Sequence, residues 1–432
     1  MKLNWFSPLP PAKSGIAEYT AGLLPLLARH ADVTVWTDQR EWDAALEKHS
    51  TVRRFDVTDI KWSDLNSADI SFYNIGNNHL FHASIWQISK MQPGIVILHD
   101  VHLHQFFDSL YNGLWRDLAG YLAQMETHYG AAGRQAGVEF VTGKTGIDSM
   151  LEKYPLTSLG LENCLGCIVH TQDAFDQLSK DNRYAVVYAP LPAVFGTPPK
   201  GEPTMLRSIE PPYNLILFGH LGRNRRLDSV LQALSGLPQR DRFRLDVYGE
   251  SDNPKKLRQR IRELNLTETV TLHSYAEEDR LDQALMKAHI AINLRYPTMG
   301  EASASQLRIW SRSLPSLVTK IGWYASLSED AVAHVRPEHE VDDIQTHLTD
   351  FLNDPQRFAR MGQSGRAALK HHDPETYVRT LCDVVEKSRQ LRLAAIAKEL
   401  ARRAGSLLSP LTADPGADSV RIAQQIFALT CD

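Results

Sequence analysis

Asn293-Leu-Arg-Tyr-Pro-Thr-Met-Gly-Glu-Ala-Ser-Ala-Ser305 decides how this chain is read. The apolar run Ala288 to Leu294 reads as a strand, and it empties into a small-residue loop that ends by opening a helix. Such a loop suits an anion. Its glycine and small side chains let the backbone approach a ligand, and the N–H groups of the first helical turn, from about Ser303, have no intrahelical partners. Glu301 sits at the rim, where repulsion from a phosphate turns it toward hydroxyl groups instead. Taken by itself, the segment also fits an ordinary strand-to-helix turn of an α/β fold.

The same unit recurs. The chain opens with a strand, Lys2 to Phe6, then Ser7-Pro-Leu-Pro-Pro-Ala-Lys-Ser-Gly-Ile-Ala-Glu-Tyr19, then a helix with apolar positions at Ala21, Leu23, Leu24, Leu26 and Leu27. At Ile95-Val-Ile-Leu-His99-Asp100 a buried strand delivers a His-Asp pair to its carboxyl end, where open parallel sheets place their ligands. Asn214-Leu-Ile-Leu-Phe-Gly219-His-Leu-Gly-Arg-Asn-Arg225-Arg226-Leu-Asp228 is a further strand, followed by a loop with three arginines.

Length and composition fit two domains. At 432 residues the chain exceeds what one core usually supports, and 43% apolar with 23% charged is ordinary globular usage. A net charge of −4 creates no global field for nucleic acid, so any phosphate must be bound by local arginines. Four cysteines are too sparse for a disulfide framework, and Cys164-Leu-Gly-Cys167 lacks the second pair that a zinc site needs. No apolar stretch reaches the roughly 20 residues of a membrane span, and no signal peptide opens the chain, so a cytoplasmic protein is expected.

Strands are predicted at Val33 to Trp36, Ile70 to Asn74, Ile95 to Leu98, Cys167 to His170 and Ala185 to Tyr188. After a proline-rich stretch they resume at Asn214 to Phe218, Arg244 to Tyr248, Val270 to His273, Ile290 to Leu294, Ser316 to Thr319 and Ala331 to Val335. Alternation with helices implies an α/β protein of two doubly wound, Rossmann-like domains with a cleft between their strand ends. The boundaries are drawn as residues 1–195 for the first domain, 196–212 for the linker, 213–372 for the second domain and 373–432 for C-terminal helices.

Five segments, in this order and at these strand ends, carry a family resemblance: Ser7 to Tyr19, Tyr73-Asn-Ile-Gly-Asn-Asn78, Leu98-His-Asp-Val-His-Leu-His104, Phe218 to Asp228, and Asn293 to Glu301. Over roughly Met1 to Val385 the chain resembles the GT-B glycosyltransferases of retaining family four, many of which build bacterial polysaccharides. The resemblance implies that a nucleotide-diphosphate hexose, a UDP- or GDP-sugar, is the donor. The acceptor it implies is a hydroxyl of a saccharide or lipid-linked saccharide, and it calls for no metal, no cofactor and no nucleic-acid partner. By position, Gly15 lets the first loop approach the diphosphate. Arg225 stands for the family's diphosphate-binding lysine, with Arg223 or Arg226 assisting. A guanidinium forks onto two phosphate oxygens, which suits a departing diphosphate. His99 corresponds to the donor-sugar histidine and Asp100 orients it or faces the acceptor, while Asn77, Asn78, His102 and His104 line the acceptor side. Glu301 binds the sugar's distal hydroxyls. Ser303, Ala304 and Ser305 supply amides to the diphosphate, Gly219 and Gly300 belong to the donor loops, and His273-Ser-Tyr275 is the base-contact segment.

The chain departs from the family at one helix position. Where a second, ribose-binding glutamate is usual it carries Arg308, and Glu301 lies one residue late for the family's E-x7-E spacing; either Arg308 adds positive charge near the phosphates or other groups hold the nucleotide. No Asp-x-Asp pair is present, in keeping with arginine-assisted departure. Gly143-Lys-Thr145 fails as a P-loop because Val138 stands where the first glycine belongs. Histidines 99, 102 and 104 fit an acceptor site with fewer assumptions than a metal cluster. Leu391 to Arg403 reads as a basic amphipathic helix, either packed on the protein body or in peripheral contact with the inner face of the membrane. Two rival activities share the fold: a nucleotide-sugar epimerase, and a non-catalytic glycosyltransferase-like subunit.

Overall fold

The computed structural model describes residues 1–180, 185–195, 207–251 and 253–388. These fall into two compact units, one of Met1–Ala189 with the segment that begins at Pro374, the other Pro190–Asp373. The first carries β1 (Lys2–Phe6), β2 (Asp32–Thr37), β3 (Thr51–Arg54), β4 (Ile70–Ile75), β5 (Ile95–Leu98), β6 (Gly166–Val169) and β7 (Val186–Tyr188). The second carries β8 (Tyr213–Phe218), β9 (Phe243–Tyr248), β10 (Val270–His273), β11 (Ile290–Asn293), β12 (Ser316–Thr319) and β13 (Ala333–Val335).

Both sheets are parallel throughout, in the orders β3-β2-β1-β4-β5-β6-β7 and β10-β9-β8-β11-β12-β13. In each, the winding reverses once: between β1 and β4, where Phe6 pairs with Tyr73, and between β8 and β11, where Ile216 pairs with Ala291. Connections leave such a switch point in opposite directions, which opens a crevice outside the carboxyl ends of the two strands.

The strands formed where apolar residues run without alternation, because a parallel strand between two helix layers is buried on both faces. On β8 the alternation separates two cores: Leu215 and Leu217 join one apolar cluster, Ile216 and Phe218 the other. Removing any one of these wholly buried side chains to alanine costs about 2–5 kcal/mol. The following helices start at side-chain caps: Ser14 accepts from Ile16 N–H, Asn78 from Leu80 N–H and Ser303 from Gln306 N–H.

β3 was not anticipated. Thr51-Val-Arg-Arg54 is a short edge strand with mostly exposed side chains, so no hydrophobic pattern marks it. The units divide at Ala189/Pro190 and Asp373/Pro374, whereas the sequence reading drew its boundaries at 195/196, 212/213 and 372/373. His372 closes the second unit, its Nδ1 bonding Leu191 O at 2.8 Å and its O accepting from Ala193 N–H. The returning segment is held on the first unit by Tyr377, whose hydroxyl lies 2.8 Å from that of Tyr19, and by Glu375, 2.7 Å from Arg29. Most of the predicted linker and the helix predicted at Leu391 to Arg403 lie outside the described residues. Among the described residues no helix is long and apolar enough to cross a membrane.

Candidate functional site

In the second unit the switch-point crevice is built from the loops after β8 and β11. Gly219 has a φ of +106°, and a Cβ there would lie 2.4 Å from Arg225 Nη2. A larger residue is therefore excluded by both backbone and space. The turn Arg223–Arg225 then points one arginine inward. Arg225 is 3% exposed, and its Nη1 donates to Asn293 Oδ1 at 2.8 Å. Asn293, the last residue of β11, passes the network on: its Nδ2 donates to Gln306 Oε1 (2.9 Å), and Gln306 Nε2 donates to Ser316 Oγ (2.7 Å). The two loops are also joined by Tyr296 N–H donating to Asn224 O at 2.9 Å.

Burial, and then the neighbouring Arg295 charge, push the Arg225 guanidinium down to about 9, against the pull of Tyr324 and Glu301. It remains a cation at neutral pH. Its Nε has no hydrogen-bond partner in the protein. A buried cation with an unanswered donor, beside the helix end that Ser303 caps, is a site for an anion. Ala304 and Ser305 form the first turn of that helix and are partly exposed.

Glu301 braces the loop. Its Oε2 accepts from Thr298 Oγ1 (2.8 Å) and Met299 N–H (2.7 Å), and its Oε1 stands 3.6 Å from Arg295 Nε. Gly300, with a φ of +74°, makes the turn between them. Tyr275 lies half exposed after β10, and His273 stacks on Tyr248 with ring centroids 4.2 Å apart.

Two of the predicted donor-side arginines, Arg226 and Arg308, are corrected, and a third, Arg223, is placed on an exposed turn. Arg226 does not join Arg225: its Nε donates to Glu340 Oε1 and Oε2 at 2.7 and 2.9 Å, which neutralises it. Arg223 is exposed and, with Arg226, lines a cavity of about 980 Å³ on the flank of the helices Leu227–Gly236 and Pro254–Glu263. Arg308 is buried, its Nε donating to Asp282 Oδ1 at 3.0 Å, and Asp282 also takes Arg312 at 2.5 Å. Its charge holds two helices together and is not available to a phosphate.

In the first unit Asn74, buried on β4, organises the crevice. Its Nδ2 donates to Phe6 O (2.9 Å), so its Oδ1 is the acceptor for His99 Nε2 (2.9 Å), which must carry the proton. The Nδ1 of His99 is thereby left as the lone-pair nitrogen. Burial, then the neighbouring His170 and His82, hold His99 well below the usual imidazole range, so the ring is neutral. Tyr19 and His170 pack against it at centroid distances of 4.9 and 5.0 Å. Asp100 Oδ2 accepts from Asn77 N–H at 2.7 Å, Asn77 Oδ1 accepts from Phe106 N–H, and Asn78 caps the next helix. Gly15 begins the first helix with open space around its Cβ position.

His102 is partly buried nearby. His104 is not an acceptor ligand: it is wholly buried, with Nδ1 on Tyr154 O (2.6 Å) and Nε2 on Tyr121 Oη (2.9 Å). Among the described residues no three His, Cys, Asp or Glu side chains stand together as metal ligands. The sequence reading named no role for Asn74, Asn293 or Tyr324. The first two carried a faint signal as amides ending otherwise apolar strands; Tyr324 carried none.

Residues 206–368 match the family described as glycosyl transferases group 1. No curated relative matches the chain in sequence. Among solved structures, sucrose-phosphate synthase from Thermosynechococcus elongatus is similar at 14% identity and a TM-score of 0.61, over 90% of this chain and 98% of that one. WaaG, a glycosyltransferase of lipopolysaccharide biosynthesis, is similar at 15% identity and 0.60, over 89% and 99%. HepE of Anabaena, solved in complex with UDP-glucose, is similar at 13% identity and 0.58, over 90% and 100%. The likeness to these structures is one of fold and spans both parallel sheets; the family match covers the unit that holds Arg225, Asn293 and Glu301. Residues 206–368 thus match the group 1 glycosyltransferase family, and the chain as a whole is similar in fold to GT-B glycosyltransferases.

Proposed function

We propose that the protein transfers a hexose from a nucleoside-diphosphate sugar to a hydroxyl of a saccharide or lipid-linked saccharide, in bacterial surface polysaccharide synthesis. Transfer proceeds with retention at the anomeric carbon and without a divalent cation. The observation that carries this reading is Arg225: a buried guanidinium at a switch point, with an unanswered Nε–H, next to a capped helix N-terminus. The family match over residues 206–368 supports a sugar transfer, and the likeness to a structure holding UDP-glucose supports a nucleotide-sugar donor.

In this mechanism the diphosphate leaves from the anomeric carbon as its charge is taken up by Arg225 and the amides of Ser303, Ala304 and Ser305. Electrostatic stabilisation of that leaving group is the main catalytic contribution. The acceptor oxygen attacks from the face the diphosphate leaves. Its proton passes to the departing phosphate oxygen, so one C–O bond forms as another breaks. Glu301, held by Thr298 and Met299, presents Oε1 toward sugar hydroxyls. On the first unit, the Nδ1 of neutral His99 accepts from a hydroxyl.

The test combines binding and turnover. UDP or GDP at 100 times its dissociation constant stabilises the protein by about 2.7 kcal/mol. That corresponds to a rise of about 5–10 °C in Tm for a domain of 150–250 residues. With donor sugar, saccharide acceptor and excess chelator, NMR of the product should show the donor's anomeric configuration. Loss of transfer in chelator, restored by magnesium or manganese, refutes metal independence, and inversion refutes retention. A new free sugar formed from donor alone marks an epimerase, and binding without turnover marks a non-catalytic subunit.

A further inference from the structure

Tyr324 lies on the short helix Gly322–Ala325 that follows β12, and it is fully buried. Its hydroxyl has no hydrogen-bond partner in the protein. A buried hydroxyl without a partner is unfavourable, and most folds avoid it. None of the neighbouring acceptors meets it in hydrogen-bonding geometry. The hydroxyl stands among Arg295, Glu301, Ser303 and Arg225. Ser303 lies beside it without the geometry of a hydrogen bond, and Ser303 Oγ already accepts from Gln306 N–H at 3.1 Å. Glu301 Oε2 is taken by Thr298 and Met299.

A second buried donor in the same cluster, Arg225 Nε, also lacks an acceptor. Two donors from the ends of different strands, one on the loop after β8 and one on the helix after β12, lack the same thing. An anionic group bringing several acceptor oxygens satisfies both. Burial raises the phenol's pKa above its usual value, so the hydroxyl keeps the proton it would donate.

We infer that Tyr324 is a donor-binding residue, its hydroxyl donating to a phosphoryl oxygen of the nucleoside diphosphate that Arg225 also holds. This rests on the donor-site reading proposed above. It adds a neutral hydrogen-bond donor to a site otherwise made of guanidinium and backbone amides. As the diphosphate departs and its charge grows, a bond from a protonated phenol strengthens, so Tyr324 assists departure as well as binding.

Tyr324→Phe removes only the hydroxyl and keeps the buried ring. In the ligand-free protein it should leave Tm unchanged or raise it by about 2–4 °C, because an unpaired buried group is gone. The Kd for UDP or GDP, whichever the wild type binds, should weaken roughly 10-fold or more, the scale of a hydrogen bond to a charged group, and kcat should fall with it. Arg225→Ala is measured alongside. If Tyr324→Phe binds and turns over as wild type while Arg225→Ala does not, the inference is overturned and the donor-site reading stands. If both variants match wild type, or if wild type binds neither UDP nor GDP, both fall. Weakened binding together with a lower ligand-free Tm would mean that the hydroxyl is structural, and would also overturn the inference.

Discussion

Replacing Arg225 by methionine should separate activity from stability. The guanidinium makes one charge-assisted hydrogen bond, to Asn293 Oδ1, and is 3% exposed. Losing that bond costs about 1.5–3 kcal/mol, and the Asn293 oxygen left unpaired costs a further 1–3. Against this, the variant no longer buries an underpaired cation, a penalty of several kcal/mol per ion. A methionine side chain fills much of the vacated volume. The two sides nearly cancel, so Tm should move by only a few degrees. Turnover has no such offset. An oxyanion-type donor is worth about 2.7–4 kcal/mol in the transition state, so kcat should fall by about 10²–10³-fold. Gly219→Ala should reproduce part of the loss, because its Cβ would displace the same guanidinium. Steady-state kinetics on nucleotide sugar, with calorimetric unfolding of the same samples, makes the comparison. Turnover within a few-fold of wild type, with or without a lower Tm, would make Arg225 a structural residue and refute the argument.

Other expectations come from the remaining elements of the two crevices. Asn74→Leu removes the acceptor that fixes the His99 proton on Nε2; ¹⁵N NMR should show mixed tautomers, with turnover lowered about 10-fold, and an unchanged spectrum would remove Asn74 from that role. Burial lowers the pKa of His82 to about 4 and that of His99 well below 6.5. The unfolded chain therefore binds protons from about pH 6.5 downward that the native state refuses. Stability present above pH 6.5 should fall on acidification by about 1.4 kcal/mol per pH unit for each such histidine. Urea midpoints that stay level between pH 7 and 5 contradict this. Glu301→Ala should weaken nucleotide sugar by about 1.5–3 kcal/mol and bare nucleoside diphosphate far less. Equal losses in calorimetry would leave Glu301 only its bracing of Thr298 and Met299.

Strands β4, β5, β8 and β11 are legible in the sequence because burial on both faces leaves continuous apolar runs, and the switch points follow once their order is known. β3 is illegible for the opposite reason, since an edge strand reading Thr-Val-Arg-Arg buries too little to show a period. Among the arginines, residue type and loop position were legible and direction was not. Arg225 turns inward because Gly219 vacates the space, whereas Arg226 adopts a left-handed conformation and meets Glu340, 114 residues on. Arg308 meets Asp282 on a helix that precedes it by 26 residues, and His104 meets Tyr121 and Tyr154. Each of these partners is set by tertiary packing, which no local pattern encodes.

That contrast gives a physical criterion for the site. Arg226, Arg308 and Arg312 each have a carboxylate at hydrogen-bonding distance, which offsets the cost of burying their charge. Arg225 has an amide oxygen and an unanswered Nε, and Tyr324 has an unanswered hydroxyl. Folding leaves these two donors unsatisfied within a network that otherwise pairs Asn293, Gln306 and Ser316 in sequence. A protein selected only for stability would lose them. A protein that must bind a diphosphate, and then stabilise it more strongly as it leaves, gains from donors that no internal acceptor competes for. The cost sits in the ligand-free state and is relieved on binding, so the stability that each donor forfeits when the site is empty returns as affinity for an anion.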